Sequence, residues 1–99
     1  MVAYLVTCTF DLKNATSQDY QTAYADLASL GLKKVITSTQ GNPVVAPTTL
    51  TIGEFNGQNA TVVRDSVRDA VQRAFSGRRF SSEIFVVVGG DWAWGAAST

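Results

Sequence analysis

Asp11 is the residue of this sequence whose type and position best suit it for chemistry. It follows an apolar segment, Val2 to Phe10, and stands where that segment ends, in Phe10-Asp11-Leu12. A carboxylate at such a point can close a turn or cap a helix. It can also be a metal ligand, because Mg²⁺ prefers oxygen ligands and keeps several waters, so that one carboxylate from each of two subunits can suffice. A metal held there could activate water for catalysis, and the turn and the catalytic magnesium site both stay open as interpretations of Asp11.

Two further pairs of residues are candidates for binding. Arg78 and Arg79 have no acidic neighbour in the following sequence until Glu83, so they are the candidates for contacts with nucleic-acid phosphates. Trp92 and Trp94 lie two residues apart and would share one face of an extended tail. They can stack on bases or anchor a dimer interface, and we favour the interface because the central strands carry no aromatic RNA-binding motif.

The composition excludes several classes of chemistry. The chain of 99 residues has no histidine, which removes histidine-based triads and most zinc sites. It has one cysteine, Cys8, so no disulfide can form within the chain, and its place among apolar residues predicts a buried thiol. The formal net charge is zero, which argues against a strong non-specific binder of polyanions, although a local basic patch remains compatible with it.

The framework that must position these residues follows from the periodicity of the apolar residues. Alternation over residues 2–10 predicts a strand, and the three- and four-residue spacing from Tyr20 to Leu30 predicts a helix over 17–30. Thr16 or Ser17 would cap this helix and Gly31 would end it. The remaining predicted elements are a strand over 33–39, a loop over 40–47, a strand over 48–55, a helix over 61–75 ended by Gly77, and a strand over 82–88.

This order of strands and helices predicts an α+β fold. Strand, helix, strand, strand, helix, strand is the order of the ferredoxin-like βαββαβ sandwich, with both helices on one face of a four-stranded antiparallel sheet. The last strand is then an edge, although it is apolar on both faces, and exposed apolar edges invite pairing. We therefore expect a homodimer whose interface includes Phe85, Val87, Trp92 and Trp94, with the extension over 90–99 packing on the partner.

The length predicts a single domain over residues 1–99. The apolar N-terminal segment lacks the basic start of a signal peptide, and no segment approaches the roughly 18 apolar residues that cross a bilayer. We expect no membrane partner and a cytoplasmic location.

The arrangement resembles a known family, the small dimeric CRISPR-associated proteins of the spacer-acquisition complex and their relatives among ferredoxin-like ribonuclease toxins. The resemblance rests on the first strand ending in Phe10-Asp11-Leu12, the valine-rich strand from Ile84 to Val88, and the short tail after Gly89-Gly90. It implies a dimer in which two copies of Asp11 face each other across a divalent metal, and in which a C-terminal segment reaches across to the partner.

Two functions from different classes remain as hypotheses. The first is a metal-dependent nuclease with Asp11 and Mg²⁺ at its centre, acting on nucleic acid. The second is a non-catalytic dimeric module that assembles or binds a protein. The neutral charge, the absence of histidine and the single candidate acid in each chain favour the second hypothesis. A small-ligand regulatory domain ranks below both, because no polar constellation in the sequence specifies a ligand.

Overall fold

The computed structural model describes residues 2–38 and 40–99, and its core is formed by one face of a sheet and two helices. The elements are β1 (Val2–Leu12), α1 (Ser17–Ser29), β2 (Val35–Thr37), β3 (Pro43–Val45), β4 (Leu50–Gly57), α2 (Ala60–Gly77) and β5 (Ser82–Gly89). The predicted α+β class, both helices and the first and last strands are confirmed to within a few residues at their ends. In the part of the chain so described, no helix is long and apolar enough to span a membrane.

The central strand of the main sheet is β1. It pairs antiparallel with β4 on one side and with β5 on the other, so the order is β4-β1-β5. Cys8 lies opposite Thr51 of β4 and opposite Val86 of β5, which fixes both registers. Because residues directly opposite one another point to the same face of a sheet, these registers also determine which side chains share each face.

One face of this sheet is buried under both helices. Val6, Cys8 and Phe10 of β1 are at most 2% exposed, and they pack against buried residues of the helix stripes. The Phe10 ring lies 5.2 Å from the ring of Phe75, centroid to centroid, and meets it edge to face. The alternation seen in the sequence therefore places the even-numbered residues of β1 in the core. The helix residues of this core are Ala23, Leu27, Val63, Val67, Val71 and Phe75.

The expected four-stranded sheet is wrong, because the main sheet has three strands. Thr39 of the predicted second strand lies outside the described residues; among the others, only Lys33 meets β4, exchanging two backbone hydrogen bonds of 2.9 Å with Ile52. The chain then leaves the sheet, and β2 pairs with β3 in a separate two-stranded hairpin, with Ile36 opposite Val44. The fold is broadly ferredoxin-like, but it has a separate hairpin in place of a fourth strand at this edge. One strand of that hairpin, β3, lies in the segment predicted as a loop.

Both helices end in a Schellman motif, the hydrogen-bonded turn in which a left-handed residue closes the helix. After α1, Gly31 has a φ of +99° and Leu32 donates its N–H to Leu27 at 2.9 Å. After α2 the left-handed residue is Arg79, with a φ of +61°, and Phe80 donates to Phe75 at 3.0 Å. Gly31 thus plays its predicted role, whereas Gly77 is the last helical residue of α2 and the left-handed position falls two residues later.

Candidate functional site: the open face of the sheet

The open face of the sheet, opposite the helices, carries three of the residues that the sequence singled out: Asp11, Phe85 and Val87. The odd-numbered residues of β1 point to it, and the registers add the residues opposite them on β4 and β5. It is defined here by ten side chains: Leu5, Thr7, Thr9, Asp11, Leu50, Ile52, Glu54, Glu83, Phe85 and Val87.

The apolar part of the open face is concentrated on β5. Phe85 is 64% exposed and Val87 is 51% exposed, and both stand beside threonines of β1. Phe85 lies opposite Thr9 and Val87 lies opposite Thr7, so two large apolar side chains stand together on a surface without cover from the helices. Adjacent exposed apolar side chains of this size are typical of an interaction surface.

Asp11 is an exposed residue of the open face, near the end of β1 and beside the start of β5. Its partner across the strands is Glu83, so two carboxylates stand side by side on one face. Lys13 Nζ lies 3.0 Å from Glu83 Oε1 and balances one of these charges. Thr9, Asp11, Glu83 and Phe85 border a shallow depression of about 250 Å³. The pair can accept hydrogen bonds or attract a cation that retains its water shell.

The two arginines of the predicted nucleic-acid contact have different surroundings. Arg78 makes a bidentate ion pair with Asp26 of α1, through Nε and one terminal nitrogen, each at 3.0 Å. These hydrogen bonds, followed by the attraction of the carboxylate charge, raise the pKa of Arg78 above its ordinary value. Arg79 occupies the left-handed position after α2. Arg78 therefore links the two helices, and a contact of either arginine with nucleic acid stays a prediction.

Trp92 and Trp94 lie next to the hairpin and the open face of their own chain. Both line a cleft of about 560 Å³ together with Thr37, Asn42 and Val44. They also border a second depression beside Leu5 and Ile52 of the open face. Trp94 is 38% exposed. The tail thus approaches the same face that carries Phe85 and Val87, while its packing on a partner remains a prediction.

Cys8 is a buried thiol, as predicted. It is 0% exposed, and burial, opposed in smaller part by a hydrogen bond with the Thr51 side chain, raises the pKa of Cys8 to about 11. A thiol in this environment stays protonated near neutral pH, and only the thiolate is a nucleophile. Cys8 belongs to the packing of the core and contributes no reactive group.

Lys34 anchors the hairpin to the body of the fold. Its ammonium donates to the carbonyls of Ala46 at 3.0 Å and Pro47 at 2.9 Å, and lies 4.8 Å from the centre of the Tyr24 ring. Desolvation by burial lowers the pKa of Lys34 from its ordinary value. The Tyr24 hydroxyl accepts a hydrogen bond of 2.8 Å from Thr49 N–H, so the start of β4 is attached to α1 as well.

Glu83 and Asp26 are the two acids that sequence reasoning did not connect to the candidate residues. Glu83 faces Asp11 only because of the register between β1 and β5, and Asp26 reaches Arg78 from a position 52 residues earlier. Both strands were predicted from the sequence, but β5 is apolar on both faces and does not alternate, so its register against β1, which creates the first of these pairs, could not be predicted. No local pattern indicates the second.

Comparison with known proteins adds no family to this description. No protein-family model matches the chain, and no curated protein matches it.

Proposed function

We propose that this protein is a non-catalytic homodimeric assembly module whose contact surface includes Phe85 and Val87. The observation that carries the proposal is the exposure of these two large apolar side chains, 64% and 51%, next to each other on an edge strand. Burying such groups against a second copy removes apolar surface from water, which favours association.

The open face supports assembly better than it supports catalysis. The described residues contain no group of three or more His, Cys, Asp or Glu side chains that could hold a metal. The exposed carboxylates lie at the margins of the open face, whereas its centre holds threonine, leucine and isoleucine side chains. Charged residues are depleted at the centre of protein contacts, and the most exposed apolar side chains of this face, Phe85 and Val87, lie on the edge strand β5, where a second copy can reach them.

The test measures the mass of the protein in solution against concentration. We expect sedimentation equilibrium to show a dimer, and Phe85→Lys to weaken it by at least about tenfold in Kd, the loss typical of an interface anchor. Val62→Lys is the matched control, because Val62 is 47% exposed on α2, away from the open face. A wild-type protein that stays monomeric at high concentration would refute the proposal.

The tail over residues 90–99 is a separate element of the proposed dimer. Because Trp92 and Trp94 line a cleft shared with the hairpin and approach the open face, they can contribute to the contact of two copies. Removal of residues 90–99 should then weaken the dimer in the same sedimentation experiment. A truncated protein that dimerises as tightly as the full chain would exclude the tail from the interface.

A metal-dependent nuclease is the second candidate function, and the pairing of Asp11 with Glu83 favours it. The fit of the residues to Mg²⁺ is partial: one chain offers two adjacent carboxylates, and Glu83 is paired with Lys13. In this candidate, Asp11 of each subunit would supply an oxygen ligand, and Mg²⁺ would lower the pKa of a bound water for attack on a phosphodiester. Arg78 and Arg79 would contact phosphates.

The nuclease candidate is tested with labelled RNA and double-stranded DNA in Mg²⁺, Mn²⁺ or chelator. Asp11→Asn should abolish metal-dependent cleavage and leave Tm within a few degrees, because Asp11 is exposed. Glu54→Gln is the matched control, because Glu54 is an exposed acid of the same face on β4, away from Asp11. Cleavage that persists in Asp11→Asn, or none in the wild type, would refute this candidate.

A further inference from the structure

We propose that two copies of the chain pair their β5 strands antiparallel around a two-fold axis at Val86, forming one continuous sheet of six strands. This inference rests on the proposed homodimer and specifies that it is built through β5 alone, because Trp92 and Trp94 line clefts beside the hairpin and β4, at the opposite edge of the sheet. Each copy would contribute its three strands, in the order β4-β1-β5-β5-β1-β4, with all four helices on the same side. The partner is therefore a second copy of this chain, and the contact is an edge of the sheet.

The outer edge of β5 is available for pairing. β5 bonds to β1 along residues 82–89, and in residues 2–38 and 40–99 no strand pairs with its other side. Alternate N–H and C=O groups on that side point away from β1, which makes it a template for another strand. Protected edges usually carry lysine, proline or a bulge, whereas Ser82–Gly89 contains none of these residues and has one charge, Glu83.

The sequence of β5 suits pairing with itself in one register. With Val86 on the two-fold axis, residues whose numbers sum to the same value lie opposite each other, and odd-numbered residues stay on the open face. Phe85 then faces Val87 of the second copy twice, and Ile84 faces Val88 twice. Aromatic and β-branched side chains are favourable cross-strand pairs.

The same register also avoids a charge conflict. Glu83, the charged residue of β5, lies opposite Gly89 of the second copy, so its carboxylate remains in solvent beside Lys13. Moving the axis to Phe85 would place Glu83 opposite Val87 and leave Val88 and Gly89 without apolar partners. Moving it to Ile84 would place Glu83 opposite Phe85. The register centred on Val86 gives the largest number of apolar pairs.

Edge pairing also avoids the cost of stacking two open faces on each other. The open face carries Asp11, Glu54 and Glu83, so face-to-face contact would bring acidic side chains of both copies out of water. Removing a charge from water costs several kcal/mol unless a partner compensates it. Pairing along β5 leaves all three carboxylates in solvent while it covers Phe85 and Val87 in part with each other.

The edge dimer has a geometric signature. Three strand spacings of about 4.8 Å separate the two β1 strands, and Asp11 is level with Glu83, three residues from the axis. The two Asp11 residues would then be about 25 Å apart, from about 14 Å across the sheet and about 20 Å along it. One metal ion cannot bridge that distance, so this dimer and the nuclease candidate with a shared Mg²⁺ exclude each other.

Oxidative cross-linking of introduced thiols tests the register. Phe85→Cys and Val87→Cys are made separately in a Cys8→Ala background, at positions that are exposed and outside the core. In the proposed register these two positions face each other with Cα atoms about 5 Å apart, within the range for a disulfide. Two copies of the same position would lie about 8 Å apart, beyond the limit of about 7 Å for a disulfide. Co-refolded mixtures of the two variants should therefore cross-link in high yield, and each variant alone should not.

The outcomes separate this inference from the proposed homodimer. A cross-link confined to the mixture supports the register. Efficient cross-linking of either variant alone would overturn it in favour of a different axis. A protein that sediments as a dimer but forms no cross-link in any sample would overturn edge pairing and keep the homodimer. A monomer at all concentrations would overturn both the edge pairing and the homodimer. Far-UV circular dichroism of each variant serves as the control for folding.

Discussion

Arg79→Gly should stabilise the protein, although it removes one of the two arginines that the nuclease candidate assigns to phosphate contacts. Arg79 closes the Schellman motif after α2 with a φ of +61°, in the left-handed region. For an L-residue this conformation costs about 1–2 kcal/mol, because the Cβ atom approaches the carbonyl oxygen. Glycine has no Cβ, and at the equivalent position after α1 the chain already has Gly31 at +99°.

The expected gain follows from two opposing contributions. Glycine removes the left-handed penalty of about 1–2 kcal/mol but loses about 0.5–1 kcal/mol more backbone entropy on folding. The net stabilisation should be about 0.5–1 kcal/mol. The hydrogen bonds of the motif, from Arg79 to Ser76 at 2.9 Å and from Phe80 to Phe75 at 3.0 Å, use backbone atoms and would be retained. In a domain of this size, 1 kcal/mol corresponds to a rise in Tm of about 4–8 °C.

The assay compares Arg79→Gly with Arg79→Ala by urea denaturation and by thermal unfolding. Both variants remove the guanidinium, but alanine keeps the left-handed penalty, so the difference between them isolates the backbone conformation. We expect the glycine variant to be the more stable of the two. Equal stability, or greater stability of the alanine variant, would show that residue 79 is not held in the left-handed region and would refute the reasoning.

Three other perturbations have defined outcomes. Gly31→Ala should destabilise the protein by about 1–2 kcal/mol, because the φ of Gly31 is +99° and an added Cβ would lie 3.3 Å from Phe55 Cζ. Urea denaturation measures the change in the free energy of unfolding, and an unchanged value would contradict the Schellman motif after α1. Because burial raises the pKa of Cys8 from 9.0 to about 11, its contribution to stability is complete below pH 9 and lost as the pH rises towards 11. Between about pH 7 and about pH 10, the free energy of unfolding of the wild type should therefore fall by about 1.4 kcal/mol more than that of Cys8→Ala. Denaturant titrations at the two pH values measure this difference, and equal losses in the two proteins would contradict it. Asp26→Asn should break the ion pair with Arg78 and lower Tm slightly. Because salt screens this ion pair, the Tm of the variant should also depend less on salt concentration than that of the wild type. An unchanged salt dependence of Tm would show that the ion pair contributes nothing.

The helices and the central strand could be predicted from the sequence because their apolar residues repeat with the period of the element. The Thr16 cap is an example: its hydroxyl accepts from Asp19 N–H at 3.1 Å, and Asp19 in turn accepts from Thr16 N–H. These bonds join residues three apart, so a local pattern reveals them. The alternation of Val6, Cys8 and Phe10 likewise specifies a buried face, since a shift by one residue would expose it.

The hairpin could not be predicted in the same way, because the predicted second strand has no strongly buried face. In the structure Val35 is 51% exposed and Val45 is 68% exposed, so burial in the core does not fix where either segment lies. Their β-branched residues suit any strand partner, and the nearest one along the chain is Pro43–Val45. The proline and glycine residues that indicated a loop occupy the turn and the ends of this hairpin.

If two copies pair as proposed, the bridge between Lys33 and Ile52 limits how far assembly can proceed. It occupies the third residue of β4, next to Gly53, where an added Cβ would clash with the Gly31 carbonyl oxygen. The sheet would therefore present the edge of β5 to a second copy, whereas Lys33 occupies part of the edge of β4. A particle with one such edge stops growing after a single association, whereas two open edges would let copies add without end and form a fibre. The Lys33 bridge, and not a paired strand, would thus hinder further addition of copies at β4, which favours a closed pair over a polymer.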